Sequence, residues 1–139
     1  MIILDTNVIS ELMKVAPAAA VFGWVGSLRG DFLFTTALNQ AEVMFGIEKM
    51  PIGRKRDSLR DSAKRTFAQY FHDRILPFDT NAARRYADIV AHRQSAGRRI
   101  DKFDAQIVSV AAHHNMAVAT RDVAGFEDCG VQVINPWKA

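Results

Sequence analysis

The sequence predicts an α/β fold in three layers, with a central parallel sheet flanked by helices. Short apolar segments alternate with longer segments whose apolar residues recur at helical spacing, and this alternation is typical of parallel sheets with helical crossovers. The chain has 139 residues, of which 49% are hydrophobic and 24% are charged, so it is long enough for one domain with its own core. We therefore expect a single domain over residues 1–139.

Five short strands are predicted from apolar or β-branched runs that are too brief for helices. In chain order they are Met1–Leu4, Phe32–Thr36, Ile75–Phe78, Met116–Thr120 and Val131–Ile134. Only a capped turn is expected after the first strand, with Thr6 or Asn7 as the cap. A further turn region is expected before the fifth strand.

Five helices are predicted from apolar residues at helical spacing and from flanking capping residues. They are Pro17–Leu28, Gln40–Met50, Arg54–Asp73, Thr80–Ala96 and a last helix that begins at Asp101. Asn39 is expected to cap the second of them, because Asn accepts hydrogen bonds from the free amides at a helix start. The last helix is apolar nearly all round and should be the most buried one.

Four carboxylates form the most informative pattern in the sequence. Asp5 follows the first strand, Asp122 follows the fourth, and Glu42 lies in the first turn of the helix after the second strand. Asp104 lies near the start of the apolar helix, where an unpaired acid is costly. In a parallel sheet all four map to one rim, at the edge where open α/β sheets bind ligands. Ionised acids at one rim repel each other, and a hard divalent cation such as Mg²⁺ or Mn²⁺ relieves that repulsion.

Three of these acids also have purely structural interpretations. Asp5 could cap the turn after the first strand. Glu42 lies three residues after Asn39 and could complete a capping box with it. Asp122 could be a turn residue or the ion partner of Arg121. Each acid alone is a weak signal, whereas their joint placement on one rim indicates a metal site.

Other hydrolytic mechanisms find little support in the sequence. His113 and His114 are adjacent on a helix and are not expected to pair, and Cys129 has no obvious base nearby. A phosphatase that uses Asp5 as its nucleophile stays open, although the Asp-x-Asp pattern of one such class is absent because position 7 is Asn. The single cysteine also excludes an intrachain disulfide, which fits a reducing cytoplasm.

The segments that carry the four acids occur in a characteristic order. MIILDTNVISEL opens the chain and is followed by TTALNQAEVMFGI, DKFDAQIVSVAAHH and MAVATRDVAGF. Together they resemble the acidic motifs of PIN-domain nucleases, in particular the VapC-type toxins of bacterial toxin–antitoxin pairs. The strings DRILPFD and VINPWKA resemble the FitB-like branch of that family. The similarity runs along nearly the whole chain, and the ordered set is more specific than any one motif.

This resemblance implies a PIN fold and an Mg²⁺- or Mn²⁺-dependent endoribonuclease toxin of a type II toxin–antitoxin system. It carries catalytic and metal-binding roles onto Asp5, Glu42, Asp104 and Asp122, and supporting roles onto Asn7 and Thr120. Asp5 and Asp104 are expected to bind the ion directly, and Asp122 directly or through water. Glu42 is expected to bind a second ion or to orient the attacking water. The expected chemistry is in-line attack of an activated water on an RNA phosphodiester, which leaves a 5′-phosphate and a 3′-hydroxyl.

Two residues near the acids differ from the simplest form of this pattern. Many relatives carry Thr or Ser three residues before the helix acid, where this chain has Asn39 and therefore lacks a hydroxyl. Asp101 is an extra acid one turn before Asp104. We interpret Asp101 as a helix N-cap, with contact to a metal ion as the alternative.

The basic residues are compatible with a nucleic-acid partner. Lys and Arg number 18 against 15 Asp and Glu, which gives a net charge of +3. The basic cluster from Arg54 to Arg65 is interleaved with acids and is interpreted as a solvated helix face. Arg98, Arg99 and Lys102 lead into the helix that carries Asp104, and we predict that they contact RNA phosphates.

The resemblance also implies partners. They are a cognate antitoxin whose tail covers the acids, operator DNA bound through that antitoxin, and a second copy of the toxin in a homodimer or higher assembly. No apolar run approaches the ~20 residues needed to span a bilayer, so the protein is expected to be soluble, and its single cysteine points to the cytoplasm. A non-catalytic regulatory partner in a DNA-binding toxin–antitoxin-like complex is the alternative, and intact acids at all four positions count against it.

Overall fold

A five-stranded, fully parallel sheet lies at the centre of the computed structural model, which describes residues 1–139. The strands are β1 (Ile2–Leu4), β2 (Leu33–Thr36), β3 (Ile75–Leu76), β4 (Ala117–Ala119) and β5 (Val133–Ile134). Their order across the sheet is β3-β2-β1-β4-β5, so β1 is central. Ile2 is in register with Leu33 on one side and with Ala117 on the other. The predicted parallel sheet is confirmed, and the carboxyl ends of all strands meet at one edge.

Seven α-helices flank this sheet. They are α1 (Thr6–Leu12), α2 (Ala19–Gly26), α3 (Ala37–Glu48), α4 (Arg54–Phe71), α5 (Thr80–Ser95), α6 (Lys102–His113) and α7 (Val123–Phe126). A short 3₁₀ helix covers Gly30–Phe32 just before β2. None of the helices is both long enough and apolar enough to cross a membrane.

Alternate residues of the central strand face two separate cores. Ile2 and Leu4 belong to a buried cluster that they form with helices α1 to α4. Ile3 belongs to a second cluster, formed with α5, α6 and α7. Because side chains alternate between the two faces of a strand, three residues of β1 are enough to join both cores. The three-layer arrangement predicted from the sequence is confirmed, and burial on both faces explains why β1 is apolar throughout.

Helix α6 is deeply buried, as its apolar composition predicts. Its buried residues run from Ala105 to Ala111, while its start is exposed to solvent. Asp101 caps this start and accepts hydrogen bonds from the backbone N–H groups of Phe103 at 3.0 Å and Asp104 at 3.3 Å. The interpretation of Asp101 as an N-cap is confirmed, and the buried helix determines where Asp104 stands.

Two short helices lie where the sequence predicts only turns. Of the caps expected after the first strand, Asp5 rather than Thr6 or Asn7 caps α1, and it accepts a hydrogen bond from the Thr6 N–H at 2.8 Å. Burial of Val8 on the sheet stabilises this short helix. Asp122 caps α7 through the backbone N–H three residues later, at 3.2 Å. Both helices therefore begin at a carboxylate that closely follows a strand.

Helix α3 begins three residues earlier than the sequence predicts. Thr36, the last residue of β2, is its cap, and the Asn39 N–H donates to the Thr36 hydroxyl at 3.2 Å. The predicted cap at Asn39 is wrong, because Asn39 is fully buried inside the first turn and its carboxamide oxygen accepts from Thr36 Oγ1 at 2.6 Å. Glu42 consequently lies in the second turn rather than the first. The capping-box interpretation of Glu42 is therefore also wrong.

Two smaller details differ from the sequence prediction. Pro17 lies before α2 rather than in its first turn, and the N–H of the capping residue Ala18 donates to the carboxylate of Glu11 at 3.1 Å. His113 and His114 do meet, edge to face, with ring centroids 4.7 Å apart. His114 has already left α6, so helical spacing no longer separates the two rings.

Replacing Thr36 by Ala is expected to lower the free energy of unfolding by about 1–3 kcal/mol. The change removes the cap of α3 and leaves the buried amide oxygen of Asn39 without its donor. Thr36→Ser is the matched control, because it keeps the hydroxyl and loses only a methyl group. Urea unfolding followed by circular dichroism measures both variants, and equal stability of the two would contradict this role of Thr36.

Candidate active site

The carboxylate of Asp5 is the most firmly held of the four predicted acids. It follows β1 and is only 6% exposed. Its Oδ1 accepts hydrogen bonds from the Thr6 N–H at 2.8 Å and from Asn39 Nδ2 at 3.0 Å. Its Oδ2 accepts from Thr120 Oγ1 at 2.7 Å and from Asn7 Nδ2 at 3.4 Å. Donors from α1, α3 and the end of β4 therefore converge on this one carboxylate.

The two predicted supporting residues connect α1 to the end of β4. Asn7 Nδ2 donates to Thr120 Oγ1 at 3.2 Å, and Asn7 Oδ1 accepts from the N–H of Arg121 at 3.1 Å. The hydroxyl of Thr120, which is fully buried, also accepts from the N–H of Asp122 at 3.1 Å. Asn7 and Thr120 thus lie beside Asp5, as the resemblance implies.

Glu42 reaches the same edge of the sheet from α3. Its Oε1 accepts from Thr6 Oγ1 at 3.1 Å, and the Thr6 hydroxyl in turn accepts from Asn39 Nδ2 at 3.0 Å. Partial burial raises the pKa of Glu42. The hydrogen bond from Thr6 opposes this, and the negative charges of Asp5 and Asp101 raise the pKa further. Glu42 and Asp5 therefore share one hydrogen-bond network.

Asp104 and Asp122 approach each other beside Gly125. A Cβ added to Gly125 would lie 2.6 Å from Asp122 Oδ2 and 3.3 Å from Asp104 Oδ2. Both carboxylates therefore flank the same small space, and a side chain at position 125 would displace at least one of them. Asp122 Oδ1 accepts from the Gly125 N–H, whereas the Asp104 carboxylate has no hydrogen-bond donor within the chain. The four acids form what we call the acidic rim.

No positive side chain balances the acidic rim. None of the ion pairs in the structure includes one of its four acids, so the interpretation of Asp122 as the ion partner of Arg121 is wrong. Burial raises the pKa of Asp5, although its hydrogen bonds lower it. Burial, followed by the charges of Asp5 and its acidic neighbours, raises the pKa of Asp104 to about 7. The negative charges of the rim therefore repel each other without a positive side chain to offset them.

The donor set of the rim fits a hard divalent cation. All four side chains offer carboxylate oxygen, the ligand type that Mg²⁺ and Mn²⁺ prefer. After burial, the charges of the neighbouring acids raise the pKa of Asp104, and a bound cation would relieve that repulsion. The side chains are not gathered into a finished ligand cluster, because no three Asp, Glu, His or Cys side chains are close enough to hold an ion together. The rim supplies negative charge and oxygen ligands. Hydrogen bonds hold the Asp5 carboxylate, whereas the Asp104 carboxylate accepts none.

The basic residues predicted to contact RNA have different surroundings. Arg98 forms an ion pair with Glu127 at 3.2 Å, so its charge already has a partner. Arg99 and Lys102 are exposed and take part in no ion pair. Contact of these three residues with RNA stays a prediction.

A buried arginine that the sequence does not single out joins the loop before α6 to the segment after α7. Arg93 is 3% exposed, and its guanidinium donates to the carbonyl oxygens of Arg98 at 3.3 Å, Arg99 at 2.7 Å and Glu127. The first two carbonyls lie in the loop before α6, and the third lies just after α7. One signal could have identified this residue: Arg93 follows buried Ile89 by one helical turn and so falls on the inner face of α5.

Three further residues shape the rim without having been predicted to do so: Thr6, Asn39 and Gly125. The first two are expected from the sequence only as caps, yet their side chains donate to Glu42 and Asp5. Each follows closely after a strand, at the edge where the acids gather. That placement is the signal that could have identified them.

Residues 2–130 match the family model described as PIN domain. Over 138 residues the chain is 41% identical to the VapC ribonuclease Y4jK of Sinorhizobium fredii, with 99% of each chain covered. Over 137 residues it is 36% identical to the toxin FitB of Neisseria gonorrhoeae, again with 99% of each chain covered.

The fold is similar to that of a chain in the solved structure of FitAB bound to the IR36 DNA fragment. The TM-score is 0.91 and the sequence identity 37%, over 99% of this chain and 96% of that chain. The likeness therefore extends over the sheet, its flanking helices and the edge that carries the acids.

Replacing Asp104 by Asn is expected to stabilise the metal-free protein above pH 7. The folded pKa is about 7 against an ordinary value of 3.8, so between these pH values the folded state holds a proton that the unfolded chain has lost. The stability of the native sequence therefore falls as the pH rises through this window and is lowest above it. Asn escapes this loss, and we expect a gain of about 1 kcal/mol above pH 7, reduced by solvent screening because Asp104 is only half-buried.

Urea unfolding over a pH series in the presence of a chelator measures this effect. Asp61→Asn is the matched control, because Asp61 is an exposed carboxylate on α4 that lies in no ion pair. A difference between Asp104→Asn and the native sequence that does not change with pH would contradict the prediction.

Proposed function

The chain belongs to the PIN-domain family, and we propose that it is a metal-dependent endoribonuclease, the toxin of a type II toxin–antitoxin system. The observation that carries this proposal is the acidic rim at one edge of the sheet, with no positive side chain to balance it. Carboxylates without a counter-cation are what a metal-dependent nuclease uses to hold its ion. The similarity to a VapC ribonuclease and to the toxin FitB supports the same reading.

Each acid has a role in this proposal. Asp5 and Asp104 bind Mg²⁺ or Mn²⁺ directly, and Asp122 binds it directly or through water. Glu42 binds a second ion or orients the attacking water. When bound, such a cation lowers the pKa of water and neutralises charge that develops on a phosphodiester.

The residues around the acids keep them oriented. Thr120 and Asn39 donate to opposite oxygens of Asp5, which holds its carboxylate in one orientation. Thr6 donates to Glu42 and holds it toward the same edge. These hydrogen bonds favour the ionised carboxylates, which are the forms that bind a cation. Asn7 ties the Thr120 hydroxyl into the same network.

The proposed reaction is hydrolysis of an RNA phosphodiester. Water attacks the phosphorus in line with the departing 3′-oxygen, and the products carry a 5′-phosphate and a 3′-hydroxyl. Arg98, Arg99 and Lys102 contribute phosphate contacts in this proposal, with exposed Arg99 and Lys102 better placed than Arg98, whose charge is already paired. Residues 1–139 act as one domain in the cytoplasm.

We also propose that a cognate antitoxin binds this chain and carries operator DNA, within a toxin homodimer or higher assembly. The similar structure of FitAB bound to a DNA fragment supports this. Apolar side chains on α3 add support, because Met44 is 57% exposed and Phe45 is 67% exposed on the helix that carries Glu42. A groove of about 560 Å³ between α3 and α4 adjoins Met44 and offers an apolar surface to such a partner.

The purified chain, free of any partner, is expected to cut RNA with Mg²⁺ or Mn²⁺ and to stop when a chelator is added. Asp5→Ala and Asp104→Ala should each lower the rate at least about a hundredfold, since each removes a charge that acts near the developing transition state. Time courses on tRNA, rRNA and mRNA, each tested separately, measure the activity and narrow the substrate.

Asp61→Ala is the control for loss of one negative charge, and it should cut RNA at the unaltered rate. Activity that survives both rim substitutions, or that needs no metal, would falsify the proposed mechanism. A chain that cuts no RNA with either metal would favour the non-catalytic regulatory role. A phospho-aspartate trapped on Asp5 would favour a phosphatase.

The affinity for Mn²⁺ is expected to rise with pH up to about 7 and then to level off. The proposed ion binds ionised Asp104, and below its pKa of about 7 a proton competes for the same carboxylate. Isothermal titration calorimetry over a pH series measures this dependence. Asp104→Asn should bind Mn²⁺ weakly and lose most of the pH dependence, and a pH-independent affinity in the native chain would contradict the role of Asp104.

A further inference from the structure

Arg121 is exposed, yet its backbone and its side chain are both held in place beside the acidic rim. It lies between Thr120 and Asp122, and its N–H donates to Asn7 Oδ1 at 3.1 Å. Its guanidinium carbon lies over the ring of Trp137, 4.7 Å from the ring centroid. A cation–π contact of this kind orients a guanidinium without neutralising its charge.

The guanidinium of Arg121 has no carboxylate partner. Exposed Arg29 and half-buried Arg60 and Arg98, by contrast, each form an ion pair with an acid at 3.2 Å or less. Arg121 takes part in none of the ion pairs of the structure. Its charge contributes to the lowered pKa of Glu11, but that carboxylate pairs with Lys14 at 3.0 Å, so no acid binds the guanidinium itself.

Strand topology places Arg121 and Trp137 at the same edge of the sheet as the acids. Arg121 follows β4 and Trp137 follows β5, and these two strands are parallel neighbours with Ala119 in register with Ile134. The charges that shift the pKa of Asp104 are all negative, so Arg121 does not neutralise the rim.

We propose that Arg121, held over Trp137, binds a phosphate of the RNA next to the one that is cleaved, an inference that rests on the proposed function. A guanidinium offers donors in a planar fork that matches two phosphate oxygens, and stacking on an aromatic ring leaves that edge free. An RNA chain whose cleaved phosphate lies at Asp122 also passes Arg121, because the two residues are adjacent in the sequence. The sequence predicts phosphate contacts at and just before the start of α6, and this inference adds one just after β4.

Arg121→Gln tests the contact by removing the charge. The KM for a single-stranded RNA substrate is expected to rise about tenfold with little change in kcat, because a contact to a flanking phosphate strengthens binding without acting on the reacting atoms. The dependence of log KM on log salt should become shallower by about 0.7, the contribution of one phosphate on a single strand. Arg121→Lys keeps the charge and should keep the salt dependence of the native chain.

Arg29→Gln is the matched control. The Arg29 guanidinium also lies over an aromatic ring, 5.1 Å from the centroid of Phe32, but it pairs with Asp31 at 2.8 Å and precedes β2 at the opposite edge of the sheet. This variant should keep the native KM and salt dependence.

If Arg121→Gln cuts the same RNA with both quantities unchanged, the inference is overturned while the nuclease activity stands. If the native chain cuts no RNA, the proposed function fails and this inference fails with it.

Discussion

The structure depends on the burial of one carboxylate at the end of the central strand. Asp5 is almost fully buried, and a buried charge is costly unless donors replace the water it has lost. Its donors come from α1, α3 and the end of β4, which lie around the carboxyl end of β1. These elements must therefore be in place before Asp5 can be ionised inside the protein. The hydrogen bonds that satisfy the acid also set the relative positions of the elements that build the site.

The four acids differ in how many hydrogen bonds their carboxylates accept, and this difference affects how readily each can bind a cation. Asp5 accepts hydrogen bonds at both oxygens, Glu42 accepts one from Thr6, and Asp104 accepts none. Burial and then the charges of the neighbouring acids raise the pKa of Asp104 to about 7, and no hydrogen bond opposes that rise. A fold selected for stability alone would have paired Asp104 or replaced it by a neutral residue. Its retention beside three other acids is understandable if an ion supplies the missing positive charge.

Local patterns predict the fold class and the identities of the acids well, because both are written in short stretches of sequence. The cap at Asp101 follows from a single residue that precedes a helical pattern. The cap at Thr36 could not be predicted in this way, because Thr36 also ends a buried strand. Asn39 is a residue type that commonly caps helices, but its side-chain amide donates to Asp5, which lies far away in the sequence. Arg93 escapes prediction for the same reason, since its acceptors are loop carbonyls that only the tertiary structure brings together.

The acids repel each other, so contacts away from the rim have to hold them together. On the α3 side, the Thr36 hydroxyl fixes the amide of Asn39, which in turn holds Asp5. On the α6 side, Arg93 bonds to carbonyls from the loop before α6 and from the segment after α7, and these two segments flank Asp104 and Asp122. Because these acceptors are neutral carbonyls, Arg93 joins the loops without adding a carboxylate to an already acidic edge. The loops therefore cannot move apart to relieve the repulsion between the acids. The repulsion remains at the rim, where it favours the binding of a cation.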